Sequence, residues 1–379
     1  MIVETTRTGF EKQFGYSPTG VWSAPGRANL IGEHTDYNLG FVFPFGIDAR
    51  TYAAVSLRDD RVARVASTID GQVYELDLAG TQPPVGLEWA GYPLGVAWVM
   101  RDSLDHGFDC FIDSNVPIGA GLSSSAAIEC AVSTALNELN QLNLDRKELA
   151  RIGQRAENQV VGAPTGIMDQ MASMLAEPDS AVLIDCRTLE TEVIPLGLTP
   201  RNLVVAVIDT GVKHRHAEGG YGARRASCEL GAKTMGVASL RELEQADLPR
   251  AAAALDDETF RRVRHIVTEN ARVLEATKAL KSGDMARLGQ LLDESHTSMR
   301  DDFEISIPEL DTAVEAAREA GAIGARMTGG GFGGAAIALI EAEKLPQLKE
   351  SVALHYARKS YSPAKVFVVK PEGGAARSV

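Results

Sequence analysis

The sequence predicts an α+β fold, because helix-forming and strand-forming segments follow one another without the regular β-α-β alternation of a parallel sheet. Apolar residues alternate with polar ones over 41–57 and 61–77, and this pattern predicts strands in both stretches. Apolar residues three and four positions apart predict helices over Ser123–Leu139 and Asp145–Val161.

The remaining elements follow from the same patterns and from turn residues between them. In chain order, we expect a helix over 1–15, an amphipathic helix over 92–106, a strand entering a loop over 110–119, strands over 181–186 and 202–210, a long helical stretch over 220–297, a glycine-rich loop over 329–334, a final strand over 364–370 and a frayed tail over 373–379.

The length and composition of the chain limit the number of domains and the class of protein. A chain of 379 residues exceeds one small core, so we expect either two domains, 1–190 and 191–379, or one large α/β unit. Apolar residues make up 45% of the chain and charged residues 23%, which is typical of a soluble globular protein.

Net charge and cysteine usage indicate the compartment and exclude some partners. The formal net charge of −13 argues against a nucleic-acid partner, because a basic surface would be needed to neutralise phosphates. The first 15 residues lack the apolar core of a signal peptide, and no apolar run reaches the ~18 residues of a membrane helix. We therefore expect a cytoplasmic protein with no membrane partner and with reduced thiols at Cys110, Cys130, Cys186 and Cys228.

A polar cluster follows an apolar strand in the segment GRANLIGEHTDY, residues 26–37. The carboxylates of Glu33 and Asp36 can each accept two hydroxyl hydrogen bonds, while the Arg27 guanidinium offers fixed donors to an anion. This combination predicts a site for a polyhydroxylated substrate beside a phosphoryl group. The alternative from the residues alone is a solvated, charged turn.

A glycine-rich and serine-rich segment, PIGAGLSSSAA at residues 117–127, lies between a predicted strand and a predicted helix. Glycines let backbone N–H groups approach an oxyanion closely, and the N-terminus of the following helix favours phosphate. One serine hydroxyl could also ligate magnesium. The alternative is an ordinary turn with serine helix caps. The predicted phosphate-binding residues are Gly119, Ala120, Gly121, Leu122, Ser123, Ser124 and Ser125.

Two separated carboxylates, Glu157 and Asp169, lie on either side of a helix break at Gly162 and Pro164. Phosphoryl transfer needs a group that orients or deprotonates a hydroxyl and a metal that neutralises the triphosphate, and two carboxylates suit these tasks. Alternatively, Asp169 is the N-cap of its helix and Glu157 is a surface charge.

A last glycine-rich segment, MTGGGFGG at residues 327–334, matches a dinucleotide-binding pattern only formally, because it lies far from an opening β-α-β unit. A tight turn between two elements explains it equally well. The pair His214 and His216 lacks a third metal ligand nearby, so we expect solvated loop histidines.

These segments resemble the motifs of one kinase family in sequence order. GRANLIGEHTDYNLGFVFPFGID resembles the galactokinase signature within the GHMP small-molecule kinases, and residues 117–127 resemble the phosphate loop P-x-G-x-G-L-x-S-S-A. Residues 156–170 resemble A-E-x-x-x-x-G-x-x-x-G-I-M-D-Q, and residues 328–334 resemble T-G-x-G-F-G-G. The resemblance implies a two-domain GHMP kinase fold with the active site in the cleft between the domains.

The resemblance also implies an activity, the ATP- and Mg²⁺-dependent phosphorylation of the anomeric hydroxyl of α-D-galactose, the first committed step of galactose metabolism. It implies that the 119–125 loop binds ATP and that Ser125 and Glu157 hold Mg²⁺. Asp169 and Arg27 are the implied catalytic residues, and whether Asp169 acts as a base or mainly orients the hydroxyl stays open. The implied sugar-binding residues are Glu33, His34, Thr35, Asp36 and Tyr221.

Two other functions remain as alternatives. One is a kinase for a related sugar, N-acetylgalactosamine or galacturonate, although the intact EHTDY run favours galactose. The other is a non-catalytic galactose sensor, but such relatives carry lesions in the phosphate loop that this chain lacks. Gly91 stands where the family has Asn, which affects the adenine pocket. We expect a monomer or a weak homo-oligomer.

Overall fold

The computed structural model describes residues 2–212 and 217–379, so the predicted loop histidines His214 and His216 lie outside the described residues. The helices are α1 Ile2–Phe14, α2 Gly91–Met100, α3 Ser124–Leu139, α4 Arg146–Ala156, α5 Met168–Leu175, α6 Ala217–Met235, α7 Leu248–Ala254, α8 Asp257–Ser282, α9 Met285–Asp301, α10 Pro308–Glu319 and α11 Leu345–Arg358.

The strands are distributed over both halves of the chain. They are β1 Gly20–Asn29, β2 Phe41–Val42, β3 Pro44–Leu57, β4 Val62–Ser67, β5 Val73–Asp77, β6 Phe108–Ser114, β7 Ser180–Asp185, β8 Glu190–Pro195, β9 Leu203–Asp209, β10 Gly324–Thr328, β11 Ala335–Glu341, β12 Lys365–Val369 and β13 Ala376–Arg377.

These strands form three sheets, which confirms the predicted α+β class. The first sheet has the order β13-β1-β3-β6-β4-β5, and within it β4 and β6 run parallel. The second has the order β10-β11-β9-β12 with antiparallel neighbours, and the third is the small sheet β2-β7-β8. Helix α3 packs on β1 and β3, while α9 and α10 pack on β10, so each large sheet is covered by helices.

The helices begin and end where the sequence supplies caps. The carboxylate of Asp145 accepts from the backbone N–H of Glu148 at the start of α4, and Asp256 accepts from Thr259 at the start of α8. Such side-chain caps satisfy backbone donors that a first helical turn leaves unpaired. Helix α8 ends at Gly283, whose φ of 74° suits a left-handed cap.

Some predicted elements differ from the structure. The stretch 220–297 is not one helical run but belongs to the four helices from α6 to α9. Helix α2 stops at Met100 and is buried along most of its length rather than on one face, so the prediction of an amphipathic helix over 92–106 was wrong. Its packing against α3 and α4 covers the side that would otherwise meet water.

The C-terminal tail is not frayed. After β12 the chain returns to the first sheet, where β13 pairs with β1 and places Trp22 opposite Arg377. The guanidinium of Arg50 also donates to the backbone carbonyl oxygens of Gly373 and Gly374, at 2.7 and 2.9 Å. The prediction of a last strand over 364–370 therefore missed β13, because a two-residue strand carries too short a pattern to detect.

One apolar cluster joins the two halves of the chain. It contains Leu30 and Ile31 from the end of β1 together with Val207 of β9 and Leu291 of α9. Strand β8 begins at Glu190 and pairs with β7, so the predicted boundary at 190/191 falls at the start of a paired strand. The division itself stays a prediction.

Two further expectations concern membrane-spanning helices and the cysteine thiols. Within the described ranges, no helix combines the length and the apolar character needed to cross a membrane. All four cysteines are free and buried, as expected for reduced thiols.

Candidate active site

A cavity of about 360 Å³ brings residues from all the predicted motifs together. It lies where the end of β1, the start of α3, the start of α5 and the loop after β10 converge. Its lining residues are Arg27, Glu33, His34, Asp36, Tyr92, Pro117, Gly119, Gly121, Leu122, Ser123, Ser124, Ser125, Glu157, Thr165, Gly166, Met168, Asp169, Tyr221, Gly329 and Gly330.

Arg27 and Asp169, which both line this cavity, form an ion pair. Arg27 Nε donates to Asp169 Oδ1 at 2.7 Å and Arg27 Nη2 donates to Oδ2 at 2.9 Å, while Nη1 donates to the Gly121 carbonyl at 2.6 Å. Burial alone would lower the pKa of Arg27, but the charges of Asp169 and Glu33 outweigh it and raise that pKa overall. The buried guanidinium therefore links strand β1, the 119–125 loop and the Asp169 carboxylate of α5.

Ser123 has a different contact from the one predicted for it. Its hydroxyl donates to Asp169 Oδ2 and makes no side-chain cap for α3. Ser123 also has a φ of 55°, a left-handed conformation that costs a non-glycine residue energy and is often found at functional sites. Asp169 lies in the first turn of α5, whose N-cap residue is Ile167. The alternative of plain helix capping therefore explains neither residue.

Asp36 faces the cavity from a short 3₁₀ turn and is buried there. Its Oδ2 accepts from the backbone N–H of Met168 at 3.4 Å. Burial and the charge of Asp169 raise the pKa of Asp36 to about 6. The backbone of Gly166 approaches so closely that a β-carbon there would collide with the Asp36 carboxylate. The hydroxyl of Tyr221 accepts from the backbone of Gly166 on the other side.

His34 is held as a neutral ring. Burial, followed by the nearby His265, lowers the pKa of His34 to about 3. Its Nε2 lies 3.1 Å from the carbonyl oxygen of Gly330, so Nε2 carries the proton and Nδ1 accepts from the Tyr37 hydroxyl at 2.8 Å. Both nitrogens are thus occupied, and the ring packs against Tyr221 with centroids 4.9 Å apart.

Glu33 also has protein partners on both carboxylate oxygens. Oε1 accepts from the backbone N–H of Gly329 at 2.8 Å and from the Thr328 hydroxyl at 3.1 Å, and Oε2 accepts from Asn29 at 2.7 Å. These hydrogen bonds connect the segment that carries Glu33 to Thr328 and Gly329 of the last glycine-rich segment. That segment does more than make a tight turn, since Gly329 and Gly330 both line the cavity.

Two predicted site residues do not reach the cavity. Thr35 is buried, and its hydroxyl contacts the backbone carbonyl oxygens of Gly32 at 3.0 Å and Phe41 at 2.6 Å. Ala120 is buried within the phosphate loop beside the lining residues Gly119 and Gly121. Both residues are buried inside the loops that carry the lining residues, rather than facing the cavity themselves.

Glu157 begins a π-helical turn, Glu157–Val161, that continues α4. Such turns widen a helix and occur frequently at functional sites. Burial and the charge of Asp169 raise the pKa of Glu157 to about 7, against hydrogen bonds from Thr165, Gln170 and Ser125 that favour the charged form. Glu157 is buried, so the alternative of a surface charge was wrong.

Sequence reasoning missed a pair of buried residues behind Glu157. Gln170 Nε2 donates to Glu157 Oε2 at 2.9 Å and to Glu129 Oε2 at 2.8 Å, and both Gln170 and Glu129 are fully buried. Burial and the charge of Glu157 raise the pKa of Glu129 well above its usual range. The available signal was a glutamate within the otherwise apolar face of α3, between Ile128 and Val132.

Comparisons with known proteins agree with this geometry. The family model for the GHMP kinases N terminal domain matches residues 91–177, the model for the galactokinase galactose-binding signature matches residues 8–57, and the model for the GHMP kinases C terminal domain matches residues 276–358. The chain is 48% identical over its whole length to a galactokinase of Streptomyces coelicolor, and the alignment covers 99% of that relative. This chain belongs to the galactokinase family of GHMP kinases.

Solved structures support the same family and its wider fold. The crystal structure of Lactococcus lactis galactokinase complexed with galactose superposes with a TM-score of 0.94 at 34% identity, covering 100% of both chains. The mevalonate kinase of Methanococcus jannaschii superposes with a TM-score of 0.66 at 18% identity, covering 93% of this chain and 98% of its own, which shows the fold alone. The predicted GHMP kinase fold is confirmed.

Within this galactokinase family member, the signature match of residues 8–57 includes Arg27 and the 33–36 run, and the N-terminal domain match includes the phosphate loop, Glu157 and Asp169. Helix α2 begins at Gly91, the position where the family has Asn, and its next residue, Tyr92, lines the cavity.

Proposed function

We propose that this chain transfers the γ-phosphoryl group of ATP to the anomeric hydroxyl of α-D-galactose, which gives galactose 1-phosphate and ADP. The observation that carries the proposal is the Arg27–Asp169 ion pair, which lies between the serine-rich loop and the Asp36 carboxylate in one cavity. A polyhydroxyl site and a phosphate site must meet at such a point for a sugar hydroxyl to attack a phosphoryl group.

For the sugar end of the cavity we propose Asp36, Glu33, His34 and Tyr221. Asp36 has the most free acceptor capacity, because its backbone contacts with Met168 and Tyr37 leave lone pairs available to sugar hydroxyls. Glu33 has protein partners on both oxygens, so its remaining lone pairs offer fewer positions. The packed rings of His34 and Tyr221 offer an apolar wall beside these acceptors.

For the transfer step we propose that Asp169 orients the attacking hydroxyl and accepts its proton late. Asp169 accepts three hydrogen bonds from Arg27 and Ser123 without a substrate, so one donor must give way to the sugar hydroxyl. In phosphoryl transfer the bond to the leaving group is largely broken before the nucleophile is needed as an alkoxide, so positioning outweighs base strength. The Arg27 guanidinium would then be released to stabilise the transferring phosphoryl group.

For the phosphates we propose the 119–125 loop and the N-terminus of α3. Gly119 and Gly121 have φ values of 79° and 71°, which let the loop turn its backbone N–H groups toward an anion. The Ser124 and Ser125 hydroxyls line the same cavity and can donate to phosphate oxygens.

For the divalent cation we propose Mg²⁺ held by Ser125 and Glu157, whose hard oxygen donors fit this ion. Ser125 and Glu157 line the same cavity, and the Ser125 hydroxyl favours the charged form of the Glu157 carboxylate by lowering its pKa. Throughout the described chain, no cluster of three or more histidine, cysteine or acidic side chains could hold a metal on its own. Two protein ligands suit a cation that is shared with substrate phosphates, where it neutralises the triphosphate charge.

We further propose a domain boundary at 190/191, supported by family-model matches that fall on either side of it. The four free thiols support a reducing compartment such as the cytoplasm. A monomer or a weak homo-oligomer is a proposal that light scattering on the purified protein would test.

A coupled assay of ADP release over a panel of sugars tests the function. We expect turnover of galactose at a kcat/KM at least about tenfold above that of glucose, N-acetylgalactosamine and galacturonate, because unpaired buried acceptors reject the wrong hydroxyl. Preference for another sugar would overturn the substrate. Galactose binding without ADP release would replace the kinase with a sensor.

A further inference from the structure

Helix α8 holds the sugar-motif loop from the other half of the chain. The loop runs from Gly32 to Phe41 and carries Glu33, His34 and Asp36 into the cavity. Its contacts with α8 join residues 229 to 237 positions apart in the sequence. None of the α8 residues that make these contacts lines the cavity.

Three side chains of α8 provide the contacts. The carboxylate of Glu269 accepts from the backbone N–H of Gly32 at 3.0 Å, and Asn270 Oδ1 accepts from the backbone N–H of Phe41 at 2.9 Å. His265 Nε2 lies 3.2 Å from the carbonyl oxygen of Glu33, which accepts from it. His265 and Glu269 are four positions apart and share one side of the helix, and Asn270 extends the row around it, so α8 presents three polar groups to the loop backbone.

The row is itself fixed in place. Glu269 also accepts from the Ser295 hydroxyl at 2.7 Å and pairs with Arg272 at 2.8 Å, and His265 contacts the Ser298 hydroxyl at 2.9 Å. His265 and Glu269 are fully buried. Polar groups buried this deeply cost stability unless their partners stay in position, so the row cannot shift without penalty.

The loop backbone needs such external support. Gly32, His34 and Leu39 have φ values of 107°, 64° and 58°, and two of these are not glycine. Residues in this region persist only where surrounding contacts impose the conformation. The close approach of α8 adds to the constraint, because a β-carbon at Gly32 would press on Val273 and one at Gly40 would collide with Asn270.

We propose that Glu269, Asn270 and His265 are positioning residues for sugar binding, which set the backbone of the 32–41 loop so that its side chains meet the galactose hydroxyls. The proposal rests on the proposed function and extends it to residues that touch no substrate. If the row is disrupted, the loop samples other conformations, and the fraction that is competent to bind sugar falls. Sugar affinity should suffer while the phosphate loop keeps its affinity for ATP, because the hydrogen bonds of these three side chains to the sugar loop do not involve it.

The test is calorimetric titration of galactose into the full-length protein without nucleotide. Asn270→Ala removes the acceptor for Phe41 and is expected to weaken galactose binding about tenfold, since a buried donor left unpaired penalises the bound loop conformation. Asn270→Asp keeps the acceptor oxygen and should restore most of the affinity. In steady-state assays, the KM for galactose should rise in Asn270→Ala while the KM for ATP and the kcat stay within about twofold.

Thr277→Val is the matched control, because Thr277 is buried on the same helix and its hydroxyl donates only within the helix, to the Val273 carbonyl. Equal galactose affinities of Asn270→Ala and Thr277→Val would overturn the inference. If Asn270→Ala fails to fold, Glu269→Gln keeps the side-chain size and removes the charge, and unchanged affinity there would overturn the inference as well. No galactose binding by the wild type would instead refute the proposed function.

Discussion

The two substrate sides of the cavity are built differently. On the sugar side, residues 30–36 are all buried, and the loop is held by β10 and α8 from the other half of the chain. On the phosphate side, Ile118 is 73% exposed, and Ser123, Ser124 and Ser125 are only partly buried. The sugar side is preorganised by the protein, whereas the phosphate side is more open to solvent and to a ligand.

The difference follows from what each substrate demands. Distinguishing one sugar epimer from another requires acceptors fixed to within a fraction of an ångström, and burial among partners provides this. A triphosphate is recognised by charge and by many equivalent oxygens, so an open glycine loop at a helix N-terminus suffices. The Arg27–Asp169 pair connects the two sides, and changes on either side of it should separate sugar affinity from turnover.

The largest effect should come from Asp169→Asn, which changes the ion pair between the two sides of the cavity but leaves the sugar side and the phosphate side unchanged. The substitution removes the charge at nearly constant shape, so kcat should fall by about two to four orders of magnitude. Galactose affinity measured by calorimetry should stay near that of wild type, because the sugar side is held by other residues. Glu177→Gln, at an exposed position beyond the same helix, is the control. Activity within a few-fold of wild type would remove Asp169 from the catalytic role.

Asp36→Ala should affect the sugar side alone. A buried carboxylate that accepts sugar hydroxyls contributes roughly 1.5–3 kcal/mol per charged hydrogen bond, which is more than tenfold in affinity. We expect the KM for galactose to rise by that factor, the KM for ATP to stay constant and the discrimination against glucose to narrow. Measuring kcat/KM for both sugars on both proteins decides this. A change in the KM for ATP as large as that for galactose would contradict the proposed independence of the two sides.

Glu157→Gln should stabilise the protein without ligands above neutral pH. Because the folded pKa of Glu157, about 7, lies above its ordinary value of 4.5, ionising this buried group costs folded-state stability at higher pH. The cost develops between the unfolded pKa of 4.5 and the folded pKa of about 7, because there the unfolded carboxyl is ionised while the folded one stays protonated, and it is absent only below pH 4.5. At about pH 8.5 the variant should be more stable by roughly 3 kcal/mol, and at about pH 4 the two proteins should nearly coincide.

Adding ATP with magnesium provides the second half of that experiment. Thermal melting should show a larger ligand-induced gain for wild type than for Glu157→Gln, because the carboxylate supplies a hard anionic ligand that the amide lacks. Equal gains would count against Glu157 as a magnesium ligand, and the same stability difference at both pH values would count against its raised pKa.

The smallest effect should come from Glu129→Gln. Burial and the charge of Glu157 raise the pKa of Glu129 well above its usual range, which favours the neutral carboxyl, and an amide of the same shape can still accept the hydrogen bond from Gln170. The variant should therefore retain kcat and melting temperature near those of wild type, within about threefold for the rate. A large loss of activity together with a shifted pH profile would mean that Glu129 is ionised and acts on Glu157 by its charge.

Residue types with local consequences could be interpreted from the sequence. Glycines before a run of serines predicted a loop that enters a helix, and the structure has that loop at the start of α3. The break at Gly162 and Pro164 predicted that Glu157 and Asp169 lie on separate helical segments. Both residues line the cavity. These signals are readable because each depends on neighbours within a few residues.

Contacts between distant segments had no such signal. Thr35 was predicted to bind sugar because it lies inside the motif, yet its hydroxyl contacts the Gly32 and Phe41 carbonyl oxygens. The pairing of Ser123 with Asp169 joins residues 46 positions apart, and the return of β13 to β1 joins the two ends of the chain. Which hydrogen-bond partner a polar side chain takes depends on what the fold brings beside it.

By itself, the sequence determined the fold class, the family and most of the polar residues that face the cavity, because motif composition and order reflect local backbone and chemical requirements. Only the tertiary structure decided how those residues are held. The α8 side chains behind the sugar loop and Glu129, which accepts from Gln170 behind Glu157, lie outside every motif. Their positions follow from helix packing and burial, which act over distances in space that sequence separation does not record.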